Sequence, residues 1–430
     1  MHGAHALITH HTHLIIMAFA RVHSIQPGFP HSTPVIVEAD LSGGLYSFSV
    51  VGLADKAVDE ARDRMSSAIK HAGFKAPKAQ NQKIVISLAP ADLKKEGAVF
   101  DLPMAIAYLL ASEELAGITS RRVFLGELAL DGMLRPVRGI LPAMLAARAA
   151  GFKEAIVPQE NAEEAALVSG IRVFGAHTLI EVTRHLSDAE RLDQTPHHQH
   201  ESERDHLLPK VDLADIRGQE SAKRALEIAA AGRHNVAFMG PPGTGKTMLA
   251  QALSGIMPPL TFDEAVEVTA IHSVAGILKE TLITEAPVRV PHHTSSYVAL
   301  VGGGKHLKPG EITFAHRGVL FLDEFPEFDR RALEALREPL ENRTISVSRA
   351  AGTALFPANI MLIAAMNPPG DGASWRETER FRKKLSGAII ARIDVWMSVP
   401  HIPHEELGKG ATGERSASVR ERVLSARTRQ

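Results

Sequence analysis

The run Gly240, Pro241, Pro242, Gly243, Thr244, Gly245, Lys246 and Thr247 constrains this chain more than any other segment. It follows the apolar stretch 235–239 and precedes helix-forming residues 248–253. The pattern G-x-x-x-x-G-K-T between a strand and a helix describes a phosphate-binding loop. Glycines let backbone N–H groups close on phosphate oxygens where a side chain would block the approach. The N-terminus of the helix that follows adds a partial positive charge. In this chemistry Lys246 reaches the β- and γ-phosphates of ATP, and Thr247 holds Mg²⁺. A plain glycine-rich turn has no need of both flanks.

A nucleotide site also needs a carboxylate for the metal and a base for water. Residues 318–322 are apolar and end in Asp323 and Glu324, about 75 residues after the loop. Such a run reads as a buried strand that opens into a site. Asp323 would hold Mg²⁺ through water, and Glu324 would polarise the attacking water. A third apolar run, 359–366, ends in Asn367. That amide falls between the other two strand ends, where it could hold water or the γ-phosphate. Its plainer use is as a turn residue before Pro368.

Composition excludes several classes. Net charge is −1, so no global basic field draws in nucleic acid or membrane. The absence of cysteine removes disulfides and thiolate metal sites and fits a cytoplasmic protein. No apolar run approaches the ~18 residues of a membrane span. Five histidines precede Met17, and residues 1–16 read as an upstream extension rather than a signal peptide. Residues 187–210 are polar and rich in Pro and His, which marks an interdomain linker.

Ahead of that linker, strand signals stand at 34–39, 46–52, 83–89 and 155–158. Helix signals stand at 57–72, 101–110 and 141–150, the first with Val58, Ala61, Met65 and Ile69 on one stripe. Residues 122–137 read as a hairpin turned at Asp131 and Gly132. This is an α+β pattern.

The order of phosphate loop, Asp-Glu strand and Asn strand resembles that of the AAA+ ATPases. Segments 51–61, 88–97 and 100–105 narrow the resemblance to the magnesium-chelatase-like AAA+ ATPases of the ComM/YifB competence-protein type, over roughly residues 17–427. The resemblance implies an α+β N-terminal domain of the ribosomal S5/Lon-peptidase kind over 17–186. It implies an α/β P-loop AAA+ core over 211–400, and an incomplete helical lid that starts within 401–430 and looks truncated. It places Ile216, Gly218 and Gln219 against adenine, and makes Arg392 an arginine finger that acts on the neighbouring subunit's ATP. The implied assembly is a homo-oligomeric ring, a hexamer.

Lon-type peptidases need a Ser–Lys dyad. By the resemblance the serine position falls on Val99 or Ala98 and the lysine position on Leu141, so the domain is non-proteolytic. Lys94 and Lys95, with no serine beside them, read as solvated or DNA-facing. The resemblance also marks an insert over 286–305 and a hairpin over 344–357, with Arg289, Lys305 and Arg349 as candidate pore contacts. His292 and His293 lack a third ligand at zinc spacing. The expected activity is ATP hydrolysis coupled to movement on branched or single-stranded DNA during recombination in natural transformation. The alternative is a chelatase subunit that drives Mg²⁺ insertion into a porphyrin.

Overall fold

The computed structural model describes residues 18–28, 31–53, 56–117, 119–197, 211–304, 308–349, 352–369, 385–402 and 413–430. For 56–59, 349 and 352 it describes the backbone alone. The chain divides into two compact units, Met1–Gln199 and His200–Gln430.

The first unit is built on an eight-stranded mixed sheet. Its strands are β1 (Ala18–Gln26), β2 (Thr33–Gly43), β3 (Ser47–Val51), β4 (Gln82–Ala89), β5 (Arg122–Phe124), β8 (Glu154–Pro158), β9 (Arg172–Ala176) and β10 (Gln194–Thr195). The spatial order is β10-β9-β8-β5-β1-β2-β4-β3. In β2 and β4 buried and half-buried residues alternate, the period-2 signature of a strand with one face on the core. Against the sheet lies α2 (Asp101–Ala111), buried along almost its whole length, with α1 (Lys56–His71) beside it. Ala61, Met65 and Ile69 of α1 are fully buried, as their helical spacing requires.

The stretch expected as one hairpin divides. Val123 and Phe124 are fully buried, and β5 joins the large sheet parallel to β8. Only β6 (Glu127–Leu128) and β7 (Leu134–Arg135) pair as a hairpin, turned where Gly132 takes φ 87°. The stretch read as a linker begins inside this unit, since β10 pairs antiparallel with β9. Residues 198–210 lie outside the described residues, as does the expected extension 1–16. Val99 and Leu141 are core residues. Lys95 corrects its expectation: it is fully buried, with Nζ donating to the Pro90 carbonyl, whereas Lys94 is exposed and pairs with Glu96.

The second unit holds a five-stranded sheet: β11 (Val236–Met239), β12 (Val288–Arg289), β15 (Val319–Leu322), β18 (Met361–Met366) and β19 (Val395–Ser398). Its order is β12-β15-β18-β11-β19, and every pairing is parallel. All residues of β15 and β18 are buried, which a parallel sheet covered on both faces demands. The edge strand β12 is half-buried, and β19 alternates half-buried and exposed residues. One face packs on α6 (Glu220–Gly232) and α7 (Lys246–Ala252), where Phe238, Leu249, Leu253, Phe321 and Ile363 share a core. Each such side chain contributes roughly 1.5–3 kcal/mol by leaving water.

The segments α8 (Phe262–Ala275), α9 (Tyr297–Val301), α10 (Glu311–Phe314), α11 (Arg330–Ala335) and α12 (Arg337–Asn342) belong to the same unit. The expected hairpin forms as β16 (Thr344–Arg349) paired with β17 (Gly352–Pro357). The residues expected to open a lid form α14 (Ser416–Arg429), which docks on α6 through Val419 and Val423 and through Arg422 with Glu227. Among the described residues no helix is long and apolar enough to cross a membrane.

A buried ion pair ties α1 to α2. Arg64 donates from Nε and Nη2 to Asp101 at 2.7 and 3.0 Å, and Leu128 N–H adds a third bond to the carboxylate at 3.2 Å. Asp101 is fully buried, and burial pushes its pKa up to about 6 against the pull of Arg64. Removing one partner of such a pair costs about 3–5 kcal/mol. Arg64→Met should therefore lower the melting temperature. Without Arg64 the carboxyl pKa in the folded chain rises further above its unfolded value. The penalty is then full at high pH and shrinks as the pH falls to about 6, below which the carboxyl is protonated in both folded chains. Thermal melts of wild type and variant from pH 8 to pH 4 check this; a difference that widens on acidification would contradict it.

Candidate functional site

The parallel sheet brings the carboxyl ends of β11, β18 and β15 to one edge. Because β18 lies between the other two, its terminal residue falls between theirs. The phosphate-loop pattern starts directly after β11. Gly240 N–H donates to the Met366 carbonyl at 3.2 Å, which fixes the loop's start to the end of β18. A Cβ at Gly240 would stand 2.1 Å from the Val399 carbonyl oxygen, so only glycine fits. Gly243 and Gly245 take φ of 77° and 89°, a backbone that side chains resist. The loop then enters α7 at Lys246.

Two side-chain bonds cross between strand ends. Lys246 is buried, and its Nζ donates to the carbonyls of Gly240 and Pro241 at 2.8 and 2.7 Å and to Asn367 Oδ1 at 2.9 Å. Burial pulls the Lys246 pKa down, and Asp323 pushes back. Thr247 Oγ1 donates to Asp323 Oδ2 at 2.9 Å. Asp323 Oδ1 accepts from the Glu324 N–H at 2.9 Å. Glu324 itself takes φ 50°, a left-handed conformation that costs a non-glycine residue about 1 kcal/mol or more. Lys246, Thr247, Asp323 and Asn367 thus converge through bonds, and Glu324 adjoins them along the chain.

The chain preceding α6 borders the same edge. Ile216 is buried in the shared core. Gly218 has φ 56°, and a Cβ there would meet Ile402 at 2.8 Å. Gln219, also left-handed, donates from Nε2 to the Pro400 carbonyl at 2.8 Å and approaches the Thr244 carbonyl at 3.5 Å. Pro241 and Pro242 are exposed on the loop, and Thr244 is buried, its Oγ1 bonded to the Pro241 carbonyl.

Arg392 stands apart from these bonds. It follows α13 (Gly387–Ile390), and its guanidinium pairs with Glu341 of α12. Arg289, expected to be available for a pore contact, is engaged within the chain. Its fork meets Glu311 at 2.6 and 2.8 Å, and it stacks over Phe314. Lys305 and the Arg349 side chain lie outside the described residues.

One neighbour of the site escaped the sequence reading. His293 Nδ1 lies 2.9 Å from Glu324 Oε2. β12 pairs with β15 so that Arg289 faces Leu320, and His293 and Glu324 each stand four residues after those partners, beyond the strand ends. Periodicity cannot reveal that register before the pairing is known.

A parallel α/β sheet with a glycine loop at the end of one inner strand is a P-loop architecture and fits an AAA+ module. A family model described as magnesium chelatase, subunit ChlI, matches residues 212–407. A second, described as subunit ChlI of Mg-chelatase, matches residues 37–161. Competence protein ComM of Haemophilus influenzae is 46% identical over 405 residues, 91% of this chain and 79% of the relative. YifB of Salmonella typhimurium is 43% identical over 427 residues, 96% of this chain and 82% of the relative. The magnesium-chelatase 67 kDa subunit of Heliobacterium mobile is more distant, 27% identical over 214 residues, 43% of this chain and 32% of the relative. The chain belongs to the ComM/YifB family of magnesium-chelatase-like AAA+ ATPases.

Gly240→Ala tests the loop geometry without any ligand. The added methyl meets a backbone oxygen that cannot swing away, so the variant should lose about 1–3 kcal/mol or more. A melting curve unchanged from wild type would show that the loop is not seated as described.

Proposed function

We propose that this chain is an ATP-hydrolysing ring motor that acts on DNA. The observation that carries the nucleotide reading is the pair of cross-strand bonds, Lys246 to Asn367 and Thr247 to Asp323. They set an ammonium, a hydroxyl, a carboxylate and an amide at three adjacent strand ends beside a loop of backbone N–H groups. The residues fit Mg²⁺-ATP on these grounds: hard oxygen donors at Thr247 and Asp323, and glycines where a side chain would intrude.

In that reading Lys246 exchanges its two carbonyl partners for β- and γ-phosphate oxygens, and Thr247 and Asp323 hold the metal. Mg²⁺ supplies charge neutralisation along the phosphates. Asn367, held by Lys246, orients water or the γ-phosphate. Glu324 accepts the proton of the attacking water. Ile216, Gly218 and Gln219 frame the adenine side. Arg392 serves the neighbouring protomer's site, and leaving Glu341 is the change that frees it for that role. The proposed assembly is a homo-oligomeric ring, a hexamer, in the cytoplasm.

Branched or single-stranded DNA is the proposed partner, supported by the likeness to a protein named for competence. The first unit is proposed as a non-proteolytic relative of the S5/Lon-peptidase fold, and α14 as the first helix of a lid. Neither needs a peptidase dyad, since Val99 and Leu141 offer no nucleophile or base.

Lys246→Ala should abolish binding of a fluorescent ATP analogue; normal binding would sink the site assignment. Glu324→Gln should bind the analogue with near wild-type affinity yet lose about 10²–10⁴-fold in turnover. ATP turnover of the wild type should rise on adding a four-way DNA junction. A turnover that ignores every DNA form would leave the nucleotide reading intact and remove the DNA one.

A further inference from the structure

We propose that Asn235 is a positioning residue for Arg392: its side-chain amide ties the backbone of that arginine to the start of β11, and so sets where the guanidinium stands when the chain lends it to a neighbouring copy. The inference rests on the reading of Arg392 as an arginine finger and adds to it a residue that lies ahead of the phosphate loop.

Asn235 uses every polar group it has. Its N–H donates to Asp394 Oδ2 at 2.7 Å, and its carbonyl accepts from the N–H groups of Asp394 and Val395, each at 3.0 Å. Nδ2 donates to the Arg392 carbonyl at 2.8 Å, and Oδ1 accepts from Leu362 N–H at 2.8 Å. The two partners fix which end of the amide is which, because a carbonyl only accepts and a peptide N–H only donates. One side chain thus joins the start of β11 to β18 on one flank and to the segment between α13 and β19 on the other. The bonds of that segment to itself are local. Arg392 N–H donates to the Ile389 carbonyl at 2.9 Å, and Ser386 caps α13. Ile389 and Ile393 are buried and seat the segment, while the guanidinium of Arg392 is half exposed on Glu341.

The same strand pair reaches the nucleotide loop. β11 and β19 run in register from Val236 opposite Val395 to Met239 opposite Ser398. Past that end Val399 N–H donates to the Met239 carbonyl at 2.8 Å, the Val399 carbonyl excludes a side chain at Gly240, and Gln219 Nε2 donates to the Pro400 carbonyl at 2.8 Å. Arg392 and the loop of its own chain therefore stand at opposite ends of one strand pair. The four paired residues rise about 13 Å between them, so Arg392 serves another copy's loop rather than its own. A strand pair tied at both ends sets the arginine offered outward against the site held inward.

Aspartate separates the two side-chain bonds. In Asn235→Asp one oxygen still accepts from Leu362 N–H, while the other meets the Arg392 carbonyl with no hydrogen to give. The variant should bind the fluorescent ATP analogue within about twofold of wild type and lose at least about tenfold in kcat, part of what an arginine finger supplies. Arg392→Ala should lose as much or more. Mixing protomers tells a misplaced finger from a damaged site. Lys246→Ala protomers have no working site but carry an intact finger, so adding them to Arg392→Ala protomers should restore turnover. They should restore Asn235→Asp in the same way. A variant that merely disturbs its own sheet or loop gains nothing from a partner that cannot bind ATP. Wild-type kcat in Asn235→Asp beside a silent Arg392→Ala would overturn the proposal. So would an Asn235→Asp mixture that stays silent where the Arg392→Ala mixture recovers. If aspartate lowers the melting temperature, Asn235→Ser carries the same test, since its neutral hydroxyl stops short of the Arg392 carbonyl. Failure of the finger reading looks different and takes the proposal with it: Arg392→Ala itself would turn over ATP like the wild type, or would stay silent in the mixture.

Discussion

Parallel pairing is the constraint on which the second unit depends. Strands that all run one way must end on one edge, and the side chains there come from segments far apart in sequence. In this chain β18 is inserted between β11 and β15, so Asn367 meets Lys246 on one side while Asp323 meets Thr247 across it. The pairing is enforced by burial on both faces. Shifting β18 by one residue would still bury apolar atoms, because Met361–Met366 is apolar throughout. What pins the register is polar: Leu362 N–H donates to Asn235 Oδ1, and Gly240 N–H to the Met366 carbonyl. Bonds at both ends of the strand therefore align an otherwise featureless apolar run.

This division explains what could be read in advance. A continuous apolar run that ends in a polar residue is visible in one dimension, so the three strand ends and the loop were legible. Gly240 shows the limit: its pattern position was evident, but the Val399 carbonyl that excludes a side chain lies on the chain more than 150 residues away. His293 was visible as a residue and invisible as a neighbour, since its contact depends on the register of β12 against β15. In the first unit β5 was drawn into a hairpin by the turn signal at Asp131 and Gly132, although Val123 and Phe124 gain more by joining the large sheet. Local turn chemistry lost to tertiary burial there.

Basic residues were the least legible class. Lys95, Arg289 and Arg392 look alike in sequence, as solvated cations or contacts for phosphate. Lys95 is inside the core on a backbone carbonyl, Arg289 is forked on Glu311 over an aromatic ring, and Arg392 is on Glu341. Their partners lie far along the chain or within segments that carry no periodic signal. A net charge of −1 excludes a global basic field but says nothing of which acid each cation meets. For Arg289 the consequence is specific. A guanidinium already paired bidentately gains little from a phosphate unless it first gives up Glu311, which makes it a poor electrostatic contact.

Backbone strain separates structural from chemical positions along the same strands. Arg233 and Arg343 adopt left-handed φ just where α6 and α12 stop, and their amides cap those helices. Such residues reverse the chain in a left-handed turn that glycine or asparagine also adopts. Gln219 and Glu324 are left-handed at the opposite, functional edge. Gln219 stands at the start of α6, with its amide turned onto the Pro400 carbonyl, and Glu324 opens a short helical turn with its carboxylate turned onto His293. Glycine would relax the backbone at either place and remove the side-chain contact. The Glu324 N–H, in the peptide that joins the two acids, also donates to Asp323 Oδ1. The two adjacent carboxylates therefore meet different groups, Asp323 the Thr247 hydroxyl and Glu324 the His293 ring.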